Sequence, residues 1–460
     1  MGKQHMLNRF VLLFSVLTAC APKAPAGSTP NEVDPTPAGP TGTTSVTADT
    51  LAPTNVVLDV SESRVFVGES VTLTASAVDA VGVTKIEFYD GATKLAEVTA
   101  SPFVTTVVSP AAGTRSFTAK AFDAAGNSAS APSVSLEVVL RKLWHASFGE
   151  KKLRGFSETH FGAAVSEAVA ETKVDLSACG NATPNAVVQD DGGNLIFTDQ
   201  LNGKVVRIAY AVISAAGAVA PQASDCVQLQ SGLTEAIGLA LDADRRSVFV
   251  AHQNGISYIK YDGVSAYAAA VSLVSTGGPF SGLQVDGDRL YAANYSGTPS
   301  LNLYTLSSAR TSATLAVGVH SDLQPFNVPE GVAITAGHVW VASNGADNIV
   351  GFAVTDIDTL ASANPGTQQV LDTYKLIYQA AGSTLHCPGA LVADATGNLW
   401  VNVQGSDDAG NCSNDPANPG NIYSYSAAAL AFDSVYGDAP TLKIENVASI
   451  PGFGGMAFGF

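Results

Sequence analysis

A repeat in the C-terminal two thirds constrains this chain most. Five segments can be laid over one another: 186–209, 238–261, 282–305, 331–353 and 390–426. Each opens on a small residue, runs into an apolar strand, usually carries an Asp, and turns. A second strand follows, centred on Ile196, Phe249, Tyr291, Trp340 or Trp400, and then a polar loop and a third strand. The five centres lie 53, 42, 49 and 60 residues apart. A unit of this kind cannot bury its apolar faces alone, so neighbouring units must stack.

A strand-rich period near 50 residues is the signature of a propeller blade. Two fragments flank the five units. The C-terminal GMAFGF matches the first strand of a unit, and LWHASFGEKKLRGF at 143–156 matches strands two and three (compare VWVASNGADNIVGF). Together they make one more blade from the two chain ends, which removes the open sheet edges of a linear array. The expectation is a six-bladed β-propeller over 141–460, closed by the C-terminal strand. These repeats resemble the six-bladed propellers of the NHL-repeat and gluconolactonase/regucalcin type, with the virginiamycin B lyase group nearby. Tandem WD dipeptides and sialidase-type Asp boxes are absent from the sequence.

Residues 53–140 read as a separate all-β domain. Runs such as SVTLTASA, VTKIEFY and RSFTAKA alternate apolar and polar residues, as half-buried strands do. Asp90-Gly91 and Ala125-Gly126-Asn127 supply turns. VTKIEFYDGATKLAEVTASPFVTTV and FTAKAFDAAGNSAS resemble bacterial immunoglobulin-like domains, which implies a β-sandwich used as a spacer. It lacks the Cys pair of antibody domains, so packing alone must hold it. The fold class is therefore all-β, a sandwich followed by a propeller.

The N-terminus gives the address. Lys3 and Arg9 precede a short apolar run, Phe10 to Leu17, which is too short to span a bilayer and reads as a signal peptide over 1–19. Leu17-Thr18-Ala19-Cys20 resembles the bacterial lipobox, which implies cleavage before Cys20 and acylation of its thiol. Stable anchoring by acyl chains takes at least two of them. Residues 20–52 are rich in Pro, Thr, Gly and Ala with no apolar period, so they read as a tether. The expected location is the cell envelope, lipid-anchored and extracytoplasmic. Aspartate and glutamate outnumber lysine and arginine 40 to 23, for a net charge of −17, and so acidic a chain repels nucleic acid.

Beyond Cys20 the cysteines are Cys179, Cys226, Cys387 and Cys412, an even count that suggests two disulfides in an exported chain. Three pairings are open. Blade positions favour Cys179–Cys226, between outer strands of adjacent blades, and Cys387–Cys412, on one face of the last full repeat.

In a four-stranded blade, the entry to strand one and the loop between strands two and three share a face. The entry residues are Asn185, Ile237, Ser281, Glu330, Gly389 and Gly454. Pro184-Asn185-Ala186 and Pro329-Glu330-Gly331 resemble the openings that carry divalent-metal ligands in gluconolactonase-type propellers. The resemblance implies Glu330 and Asn185 as ligands of a divalent cation, Ca²⁺ or Zn²⁺. The family's third ligand, an Asp that is also its acid/base, falls on Ile237, with Glu235 only nearby. A second ring, Ser147, Asp199, His252, Asn294, Ser343 and Val403, follows the inner part of strand two. Asp199 and His252 form an acid/base pair only if their side chains meet; otherwise this ring ties loops. His145 and His386 read as surface groups, and Arg141, Lys142, Lys151, Lys152 and Arg154 as a solvated junction. No nucleophile-elbow, zincin, P-loop or dinucleotide motif is present. The pattern favours a non-enzymatic surface lipoprotein whose ligand face (Asn185, Asp199, His252, Asn294, Glu330, Ser343) binds an envelope protein or glycan. The alternative is a metal-dependent gluconolactonase-like hydrolase or lyase.

Overall fold

The computed structural model describes residues 48–109, 111–161, 172–214, 217–242, 246–262, 265–266, 269–321, 327–378, 385–406, 412–413, 420–431, 435–437, 442–447 and 455–459. The expected signal peptide, Cys20, most of the expected tether and Gly454 lie outside them.

The region after the tether pairs into two sheets. One holds Thr54–Val60, Ser70–Val78 and Phe103–Val108; the other holds Arg64–Phe66, Val134–Val139, Gly113–Asp123, Val83–Asp90 and Thr93–Val98. Alternation puts Leu73, Ile86, Phe88, Phe117, Ala119 and Leu136 into one core. The next strand, Lys142–Ser147, starts after a two-residue link. Contacts lock the junction. Arg64 pairs with Glu137 at 2.7 Å and stacks 4.2 Å from the Tyr210 ring, and Arg141 pairs with Glu69 at 2.7 Å.

The described repeat region forms six antiparallel sheets with four-strand cores. Their first strands are Met456–Gly459, Pro184–Gln189, Gly238–Asp242, Phe280–Asp286, Pro329–Thr335 and Pro388–Ala393, called here sheets one to six in the order of their second strands. Sheet one joins the chain ends as the fragments implied: Met456–Gly459 pairs antiparallel with Lys142–Ser147, with Trp144 opposite Ala457. The repeat's second-strand centres Ile196, Phe249, Tyr291, Trp340 and Trp400 are all buried. Trp144 and Trp340 lie flat over cross-strand glycines, Gly155 and Gly351, where a Cβ would press into the indole.

The small residue that opens each unit has a similar cause. A Cβ on Gly238 would run into the carbonyl of Ser281, one on Gly282 into that of Glu330, one on Gly331 into Gly389 and Leu391, and one on Gly455 into Ala186. First strands of successive sheets therefore approach backbone to backbone. The recurring Asp is a turn-former. Asp190 accepts from Asn194 N at 2.8 Å, and Asp394 from Asn398 N at 3.0 Å and Trp400 Nε1 at 3.0 Å. Burial would raise the Asp394 carboxyl, but donors from Thr396, Trp400 and Asn398 outweigh it and hold it below the usual range.

Three further strands carry no signal in the repeat pattern. Gly217–Val219, Thr367–Val370 and Val435–Gly437 each leave the third-to-fourth connection of one sheet and pair in parallel with the outer strand of the sheet before it. Both disulfides form as expected, Cys179–Cys226 and Cys387–Cys412, with Cα separations of 5.4 and 5.7 Å. The first staples sheet one to sheet two and is worth roughly 2–4 kcal/mol.

Candidate functional site

The strand openings do come together. Asn185, Ile237, Ser281 and Glu330 line one cavity of about 70 Å³, with the small residues Ala186, Gly238, Gly282, Gly331, Ala390 and Gly455 below them. One position deeper, Val187, Leu239, Leu283, Val332, Leu391 and Met456 form an apolar collar, one residue from each sheet. A wider chamber of about 450 Å³ follows on the far side of that collar.

Among the described residues Glu330 is the one ionisable side chain of the cavity lining. It is 8% exposed, and no described residue hydrogen-bonds or ion-pairs with its carboxyl. Burial pushes that carboxyl well above the ordinary range. Asn185, 4% exposed, donates Nδ2 to Gln200 Oε1 at 2.7 Å. Ser281 donates its hydroxyl to the Pro329 carbonyl at 2.6 Å, which ties sheet four to the strand that carries Glu330. Ile237 is half-buried, so the position where the resemblance calls for a carboxylate is apolar. Glu235 stays outside the lining.

The entry turns are strained. Glu235, Val328 and Cys387, each two residues before an opening residue, have φ of 50°, 54° and 49°. Left-handed backbone costs a non-glycine residue about 1–3 kcal/mol, most clearly for β-branched Val328. Nothing in the residue types announces this. Tyr295 was also missed. Its phenol is raised by burial first, then by the charges of Glu235 and Glu330.

The second ring ties loops. Asp199 accepts from Thr183 N at 2.9 Å, Thr183 Oγ1 at 3.0 Å and Asn202 Nδ2 at 2.8 Å. His252 shares a 2.9 Å hydrogen bond between Nε2 and Ser257 Oγ, and its Nδ1 accepts from Asn254 N at 3.3 Å. The two do not meet, so the condition for an acid/base pair fails. Asn294 accepts from Ser296 N at 2.9 Å, and Ser343 accepts from Asn327 N at 2.9 Å. Ser147 and Val403 are buried. Of the six ligand-face candidates, only Asn185 and Glu330 line the cavity.

Other expectations need correction. His145 is not a surface group but fully buried, opposite Arg154 across strands. Burial first, then the Arg154 charge, lowers its imidazole to about 3. Arg154 itself is 1% exposed and pairs with Glu150, so the basic cluster is solvated only in part. His386 is half-buried, with Nδ1 3.9 Å from Asp347.

A divalent cation does not fit this set. One carboxylate and a neighbouring isoleucine leave too little charge for a hard divalent ion, whose affinity grows with ligand charge.

Residues 53–119 match the bacterial Ig domain family. No curated protein matches the chain. Among solved structures it is similar to virginiamycin B lyase from Staphylococcus aureus, at 11% identity over 63% of this chain and 87% of that one, TM-score 0.36. A streptogramin B lyase gives 12% identity, 68% and 90% coverage and a TM-score of 0.39. The WD40 β-propeller domain of Doa1 gives 12%, 53% and 65%, with a TM-score of 0.33. At such scores these likenesses carry no argument about fold or activity. The Ig domain and the two disulfides point to an extracellular protein. No helix among the described residues is long and apolar enough to cross a membrane.

Proposed function

We propose that this chain is an extracytoplasmic recognition protein, anchored by lipid on Cys20 and lifted by a tether over 20–52. Residues 53–140 are its Ig-like spacer. Residues 141–460 form one six-bladed propeller, closed by the strand Met456–Gly459, and its Asn185–Glu330 face binds an envelope protein or glycan. Pairing of Met456–Gly459 with Lys142–Ser147 supports the closure.

One observation carries recognition over turnover: among the described residues the cavity lining holds one carboxyl, Glu330, with Ile237 in the acid/base position. Proton transfer needs a titratable group within hydrogen-bond reach of the reacting atom, and Asp199 and His252 are held by their own loops. The test pairs two assays. Lactone hydrolysis with Ca²⁺, Zn²⁺ or Mn²⁺ should stay at background; turnover lost in Glu330→Gln would make the hydrolase reading correct. Retention of purified protein on isolated, delipidated envelopes should fall when Asn185→Trp blocks the mouth. Equal retention would move the binding surface elsewhere. Cys20→Ala should abolish acyl labelling and detergent-dependent extraction; unchanged anchoring would overturn that part.

A further inference from the structure

The misfit with a divalent ion follows from charge. Among the described residues the cavity lining is mostly buried and carries a single carboxyl. A doubly charged ion on one carboxylate leaves a net positive charge in a buried site, and an uncompensated buried charge is costly. A singly charged ion that takes the place of the Glu330 proton leaves the site neutral. We propose that the cavity at Glu330 is a monovalent-cation site, taking an alkali-metal ion or the ammonium end of a primary amine.

The geometry supports this. Glu330 is more than nine-tenths buried, lines the cavity and has no described partner for its carboxyl. Ser281 spends its proton on the Pro329 carbonyl, which leaves the lone pairs of its oxygen as acceptors toward a cation. The space of about 70 Å³ holds about five waters, at roughly 10–15 Å³ each, or an ion with part of its shell. The whole chain carries a net charge of −17, which favours the approach of cations over anions. The inference does not depend on what the outer face recognises, and either can fail alone.

Thermal unfolding and calorimetry on the full chain in detergent test it. NaCl, KCl, methylammonium chloride and CaCl₂ are each titrated against tetramethylammonium chloride at constant ionic strength. The midpoint should rise by about 1–2 °C per tenfold increase in a monovalent cation above its Kd. Calorimetry should give one site. A response to sodium or potassium identifies an alkali ion; a response to methylammonium alone identifies an amine. Glu330→Gln should remove the response, and Ile237→Asp, by adding a second carboxylate, should move the preference to Ca²⁺. If Glu330→Gln does not fold, wild-type calorimetry and the Ile237→Asp arm read the same site. A wild-type response to Ca²⁺ at lower concentration than to any monovalent ion overturns the proposal. So does a monovalent response that survives in Glu330→Gln, or no response at all.

Discussion

Two buried ionisable groups in the repeat region are treated in opposite ways. At the rim between sheets three and four, Arg310 is 1% exposed and fully engaged. Nε donates to Asp242 at 2.9 Å and Nη1 to Asp288 at 2.7 Å, and Nη2 donates to the Gly287 carbonyl. At the axis, Glu330 is 8% exposed with no described partner. The first arrangement repays its desolvation inside the fold and holds two sheets together. The second leaves its desolvation unpaid by protein groups, which is reasonable only where something from outside completes the site.

The sharpest way to break this contrast is to remove each charge. Arg310→Ala strands Asp242 in the rim and should cost about 3–5 kcal/mol in denaturant unfolding. Arg310→Met, with Asp242→Leu beside it, should recover most of that loss. If Arg310→Ala costs no more than an exposed arginine would, the rim network is not structural.

A third buried group refines the comparison. His145 has no described partner for either ring nitrogen and is held neutral, its imidazole lowered to about 3 by burial and by Arg154. The unfolded chain binds this proton near the ordinary value of about 6.5. Between that pH and about 3 the unfolded state is therefore the better proton acceptor, and stability falls as the pH falls. The full loss is of the order of 5 kcal/mol at about 1.4 kcal/mol per unit. His145→Val should flatten the stability curve between pH 6.5 and 4; an unchanged acid limb would assign the loss to other groups.

The smallest effect is expected at the axis. Glu330→Gln removes a buried acid without stranding a partner, so stability in tetramethylammonium chloride should change by less than about 1 kcal/mol. A large loss there would show that Glu330 is structural after all, like Arg310.

How much of this was legible in the sequence depends on the kind of signal. The repeat exposed the first three strands of each unit, because apolar alternation and turn chemistry are local. It also exposed the chain-end pairing at Trp144 and Ala457 and both disulfides, because equivalent positions in a repeat share a place in space. The buried state of His145 was illegible: one residue type cannot say that the next sheet covers it. Asn185 and Glu330 were found through their opening motif. Gln200, Tyr295 and the left-handed Val328 were not, since their roles depend on neighbours distant in sequence. Asp199 and His252 looked reactive by type, and only their hydrogen bonds to Thr183 and Ser257 show them holding loops.

The three strands lent backward have a consequence for how such a chain is made and how it can change. Sheets one, four and five acquire an edge strand only from the unit that follows: Gly217–Val219, Thr367–Val370 and Val435–Gly437. During synthesis, the outer strands of these sheets are made before the strands that cover them, so those edges stay open to pairing with another chain until the next unit is complete. Excising one unit would remove its own strands and also uncover the unit before it. Such an array should therefore drift by substitution within its units more readily than by gaining or losing one.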